Sequence, residues 1–124
     1  QTALRVVVPG AEGDFGVLPG HERFLSPVRI GELQLETPGS NGNWAAVSDG
    51  FAEVSGDKVV LMVDSCEFAT DIDAARAERA RARAASELEL LKARKNDESM
   101  FRMEEAALHR ALIRLQVAAK HRSI

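Results

Sequence analysis

All nine glycines and all four prolines of this 124-residue chain fall within residues 1–56, and neither type occurs again. A long stretch free of both breakers and rich in Ala, Glu, Arg and Leu suits helix, whereas the punctuated stretch before it suits short strands. The change of class is centred on Cys66-Glu67-Phe68-Ala69-Thr70-Asp71-Ile72-Asp73-Ala74-Ala75-Arg76-Ala77. Asp71 and Asp73 can accept from the orphan N–H groups of a helix start and complement the positive end of its dipole, which predicts a helix from about Ile72. The expected fold class is β followed by α: an N-terminal antiparallel β-sandwich over residues 1–70, then a C-terminal two-helix antiparallel hairpin over 71–124.

In the first part, residues 4–8 read as a strand ended by Pro9-Gly10, and residues 15–18 as a second strand running into the turn Pro19-Gly20-His21. Residues 24–30 are interrupted by Pro27 and so read as an edge strand or a corner. Glu32-Leu33-Gln34-Leu35-Glu36 alternates strictly, which predicts Leu33 and Leu35 on a buried face and the three polar residues towards water. Pro38-Gly39-Ser40-Asn41-Gly42-Asn43 reads as a hairpin loop, with Asn-Gly supplying the positive φ angles. Residues 44–47, 51–54 and 59–63 complete a set of short strands whose spacing indicates a small antiparallel sandwich or barrel.

The helical part divides at the polar run Lys95-Asn96-Asp97-Glu98-Ser99, beyond which a second helix is expected from near Met100. The expected apolar stripe of the first helix is thin, made of Ala75, Ala82, Ala85, Leu88 and Leu91. That of the second is stronger: Phe101, Leu108, Leu112 and Leu115, flanked by Met103, Ala107 and Ala111. One large apolar side chain gains only ~1.5–3 kcal/mol on burial, so such a hairpin needs a surface to dock on.

Charge is unevenly shared: residues 1–70 carry a net −6 and residues 71–124 a net +3, signs that permit the helices to lie against the strands. No apolar run approaches the roughly 20 residues of a transmembrane helix, and no basic-then-apolar leader opens the chain. The lone Cys66 cannot form an internal disulfide and is expected to be a buried, reduced thiol whose neighbour Glu67 raises its pKa. His21, His109 and His121 lack metal-ligand spacing to one another or to Cys66, and no nucleophile elbow surrounds Ser48 or Ser65. Catalysis and a metal site are therefore not expected.

Two binding readings remain open from the residues alone. Arg76, Arg79, Arg81, Arg83, Lys92 and Arg94 would be the cations of an RNA-binding helix, although interleaved Ala and Glu without aromatics favour a solvated face. Alternatively, Trp44 would be the stacking residue of a ligand-binding β-sandwich, or simply a hairpin anchor.

Four segments, in this order, carry a family resemblance: VPGAEGDFGVLPGH at 8–21, SDGFAEV at 48–54, DIDAARA at 71–77 and ALHRALIRLQVA at 107–118. Together they resemble the epsilon subunit of bacterial F-type ATP synthase over nearly the whole chain. Family members begin about twenty residues earlier, so the sequence is expected to be incomplete at its start. The resemblance implies a non-catalytic subunit of the central rotor stalk at the cytoplasmic face of the bacterial inner membrane, held there through the complex. Its implied partners are the gamma subunit and the c ring, with the catalytic beta subunits as the target of helices that rise to block ATP hydrolysis. Nucleic acid is not among them.

The same resemblance places the c-ring contact at Glu12, Gly13 and Asp14, with His21 in the neighbouring loop. It also matches Ile72, Asp73, Arg76 and Ala77 to an ATP-binding pattern of some relatives, joined by Glu67, Arg110 and Arg114. Implied roles are acceptance from the adenine amino group by Asp73, space for the base at Ala77, and phosphate contacts from the arginines. Without a Gly-rich phosphate loop, ATP would be a regulatory ligand and not a substrate.

Overall fold

The computed structural model describes residues 5–17, 21–37, 40–56, 58–94 and 98–122. Eight strands come first: β1 Arg5–Gly10, β2 Gly13–Val17, β3 His21–Val28, β4 Gly31–Thr37, β5 Ser40–Val47, β6 Gly50–Gly56, β7 Lys58–Val63 and β8 Cys66–Phe68. A 3-10 turn, Ala69–Asp71, leads to α1 (Ala74–Arg94) and α2 (Glu98–Arg122). Expectations that rested on Leu4, Leu18, Pro19-Gly20, Pro38-Gly39, Asp57 and residues 95–97 lie outside the described residues.

All strand pairings are antiparallel, in the order β7-β6-β3-β1-β4-β5-β8, with β2 on β1. β1 joins the two halves of this curled sheet. Its body pairs with β4, whereas its last residue, Gly10, pairs with Val28 of β3. Pro27 sits beside that crossing, where its carbonyl accepts from Ala11 N–H at 3.1 Å, in keeping with the corner expected there. The curl brings Val8, Val28, Leu33, Ala45, Val47, Ala52 and Val54 into one buried core, against which Phe15 and Phe24 pack edge to face. At Gly50 a Cβ would lie 2.1 Å from the Met62 carbonyl oxygen, so close approach of β6 to β7 there needs glycine.

Helix α2 lies on the outer side of β4 and β5, and α1 packs along α2. Strand β5 alternates between the two environments: Ala45 and Val47 face the sandwich core, while Trp44 and Ala46 face Ile113 and Val117 of α2.

Several expectations shift. Leu33 and Leu35 are buried as their alternation predicts, but Glu32, Gln34 and Glu36 are only half exposed, because the opposite face of β4 lies towards α2. Asn41 and Gly42 belong to β5, not to a turn, since Thr37 already pairs with Ser40. Helix α1 starts two residues late: Ile72 is extended (ψ 124°) and ends the 3-10 turn. Its buried line is Ala77, Ala84 and Leu88, while Ala75 and Ala82 are exposed. On α2 the most buried apolar positions are Ala111, Ile113, Val117 and Ala118, and Leu112 and Met103 point outward. Cys66 is exposed, because β8 is a three-residue edge strand with one flank uncovered.

Candidate functional site

Asp73 is the residue around which the site is built. Its Oδ1 accepts the Arg76 backbone N–H at 3.1 Å, and its carbonyl accepts from Ala77 N–H at 3.0 Å, so Asp73 caps α1. The cap turns the chain away from β8 and leaves a cleft of about 480 Å³ between β8, the 3-10 turn, α1 and α2. Glu67, Ile72, Asp73, Arg76, Ala77 and Arg114, all nominated from sequence, line it. Arg110 stands next to it, on a void of about 10 Å³ that shares Ser65 and Arg114 with the cleft. That void is the size of a single water.

Three arginines, Arg76, Arg83 and Arg114, line the cleft together with three acidic residues, Glu67, Asp71 and Asp73. Arg114 Nε donates to Glu67, an ion pair that ties α2 to the edge strand. Ala77 is 4% exposed and contributes only a methyl group to the wall of the cleft. Arg83 was missed from sequence. The signal that could have found it is its spacing of seven from Arg76, two helical turns along the same face. Chemically the cleft offers acceptors at the α1 start and guanidinium donors along α1 and α2, an arrangement that can hold a polar ring at one end and an anion at the other.

The second nominated surface is the β1–β2 turn. Glu12, Gly13 and Asp14 are exposed, and Gly13 has φ 134°, a conformation that excludes side chains. Asp14 is ion-paired with Arg29. His21 is not brought to this turn. It opens β3, whose other end, Val28, pairs with Gly10, and seven residues of strand span roughly 20 Å.

A third surface was not nominated. On the outer face of β3, β6 and β7 two cross-strand rows lie side by side, Leu25–Glu53–Val60 and Pro27–Phe51–Met62. Leu25 is 61%, Phe51 49% and Met62 50% exposed. Sequence could not single it out, since each of these strands reads as an ordinary run of apolar and polar residues.

The alternative binding readings lose their supports. Arg81 is held by Glu78 and Lys92 by Glu89, while Arg76 and Arg83 turn to the cleft, so the arginines of α1 form no single basic face. Trp44 lies in the seam under α2 with the Lys120 ammonium 3.7 Å from its ring centroid, which makes it no open stacking platform.

Comparison with known proteins agrees with this architecture. The family described as ATP synthase, Delta/Epsilon chain, beta-sandwich domain matches residues 1–69. The ATP synthase epsilon chain of Geotalea uraniireducens is 46% identical over 115 residues, covering 93% of this chain and 80% of that protein. The ATP synthase epsilon chain of Geobacter sulfurreducens is 44% identical over the same length and shares. Among solved structures, a chain of the Euglena gracilis mitochondrial ATP synthase OSCP/F1/c-ring assembly superposes with a TM-score of 0.75 at 24% identity, over 96% of this chain and 71% of that one, which supports the fold. With a sandwich-family match over half its length and relatives of this identity running on through its helices, the chain belongs to the ATP synthase epsilon chains.

Proposed function

We propose that this epsilon chain works as a rotor-stalk subunit of an F-type ATP synthase, with the sandwich as its assembly part and the helical hairpin as its regulatory part. The observation that carries the reading is the cluster of exposed apolar side chains Leu25, Phe51, Val60 and Met62 around Glu53 on β3, β6 and β7, a patch of the kind that marks a protein interface. We assign this face to the gamma subunit and the β1–β2 turn, with Glu12 at its tip, to the c ring. No helix among the described residues is long and apolar enough to cross a membrane, so attachment at the cytoplasmic face of the bacterial inner membrane would run through these partners. The test is capture by recombinant gamma subunit. Phe51→Asp, at an exposed position, should abolish capture while thermal unfolding of the isolated protein stays unchanged. Retained capture would sink the assignment.

A regulatory reading is favoured by one further observation: six of the seven residues nominated for ATP converge on one cleft together with Arg83. Because the cleft is walled by β8, α1 and α2 at once, a nucleotide held there would bind only while the hairpin lies against the sandwich, and would stabilise that state by mass action. Removal of the hairpin should raise ATP hydrolysis by the assembled complex. Calorimetric titration with ATP decides the ligand: absence of heat and of a thermal shift at millimolar nucleotide would exclude it.

A further inference from the structure

Glu32, Ala46 and Glu67 are direct cross-strand partners in one row over β4, β5 and β8. Both carboxylates are taken up by α2, Glu67 by Arg114 and Glu32 by Lys120. Adjacent strands lie about 4.8 Å apart, so β4 and β8 are separated by about 9.6 Å. Arg114 and Lys120 are six residues apart, about 9 Å along the helix. These lengths match, and Ile113 and Val117 fill the apolar middle over Ala46. The two ion pairs thus bracket the seam, and the Lys120 end selects the register: a slip of one turn would still bring Arg110 opposite Glu67 but would bring uncharged Gln116 opposite Glu32.

The Lys120 end of this bracket is the more elaborate. Its ammonium meets the Glu32 carboxylate and lies 3.7 Å from the centroid of Trp44, which shares the helix-facing side of β5 with Ala46. The Glu32 side chain is only 20% exposed, so this contact is less screened than the surface pairs of α1. A carboxylate and an aromatic face both attract the ammonium group, and the lysine stem covers the indole. We propose that Lys120, seated between Glu32 and Trp44, is an electrostatic latch that fixes the register of α2 on the sandwich and whose opening frees the end of the hairpin and bares Trp44.

Trp44 is the sole tryptophan of the chain, so its emission reads the latch directly. The measurement combines that emission with hydrogen exchange on the full chain. Glu32→Gln, which leaves Lys120 in place, should shift the emission to the red and lower the protection of the last turns of α2 about fivefold, with the β6 amides unchanged. Lys120→Met, which retains the stem without the charge, should lower protection at least as far and should remove the salt dependence of the wild-type emission. The charge swap Glu32→Lys with Lys120→Glu should recover protection beyond either single variant. Unchanged emission and exchange in both single variants, or equal salt dependence in wild type and Lys120→Met, would overturn the proposal.

Discussion

Arg29 holds the β1–β2 turn from below: it pairs with the Asp14 carboxylate, and its Nε donates to the Gly10 carbonyl at 3.1 Å. Asp14 is therefore part of the turn's own support and not merely a solvated acid. Asp14→Arg would set two guanidinium groups against each other. It should lower the melting temperature slightly, in line with the ~0.2–1 kcal/mol of an exposed pair. Glu12→Arg reverses charge at the same tip with no such partner among the described contacts, and should leave melting unchanged while weakening membrane retention of the complex. Equal melting losses in the two variants would contradict this division.

The helix cap makes a second, separable prediction. Asp73→Ala removes the acceptor of Arg76 N–H and should cost about 0.5–2 kcal/mol with loss of helical signal at the start of α1. Asp73→Ser retains a capping oxygen and should restore helicity. If Asp73 also meets a nucleotide, Asp73→Ser should still bind ATP more weakly than wild type, and titration alongside circular dichroism separates the two roles.

Packing at the seam can be told from packing in the sandwich. Val117 and Val54 are each fully buried, one under α2 and one in the sandwich core. Replacement of either by Ala should cost roughly 1–3 kcal/mol from lost transfer and the cavity left behind. Val54→Ala should lower the unfolding of the whole molecule. Val117→Ala should speed hydrogen exchange in α2 with little change in β6.

Cys66 offers a pH test. Although the residue as a whole is exposed, desolvation of its thiol, and next the charge of Glu67, raise its pKa above the ordinary thiol value. A raised pKa keeps the unreactive thiol form to higher pH. Alkylation by iodoacetamide should accordingly stay slow at neutral pH and accelerate only in the alkaline range. Glu67→Gln should move the profile to lower pH, and an unmoved profile would remove Glu67 as a cause.

What sequence made legible depended on how few alternatives each pattern allowed. The confinement of Gly and Pro to residues 1–56 marked the β part, and the alternation around Leu33 and Leu35 placed the buried face of β4. The phase of α1 was not legible. Alanines at 74, 75, 77, 80, 82, 84 and 85 surround the helix, so the choice of Ala77 and Ala84 over Ala75 and Ala82 is made by α2 and not by periodicity. The hairpin loop after β4 misled for a related reason: Asn41-Gly42 is a turn signal in sequence, yet strand pairing takes both residues into β5. The cleft was found by likeness at four segments. Arg83 and the exposed apolar side chains of β3, β6 and β7 depend on which side each strand or helix turns outward, which only the fold supplies.

The alternation of β5 sets an order of dependence. Ala45 and Val47 are held by the sandwich core, and only when they are so held do Trp44 and Ala46 present a platform for Ile113 and Val117. The platform can exist without the helices, but the helices cannot find it unless the strands have already closed. On heating, the two parts should therefore be lost in one sequence only. A lesion that melts the strands unseats the hairpin with them, whereas one that unseats the hairpin leaves a folded body still able to take its place in a larger assembly.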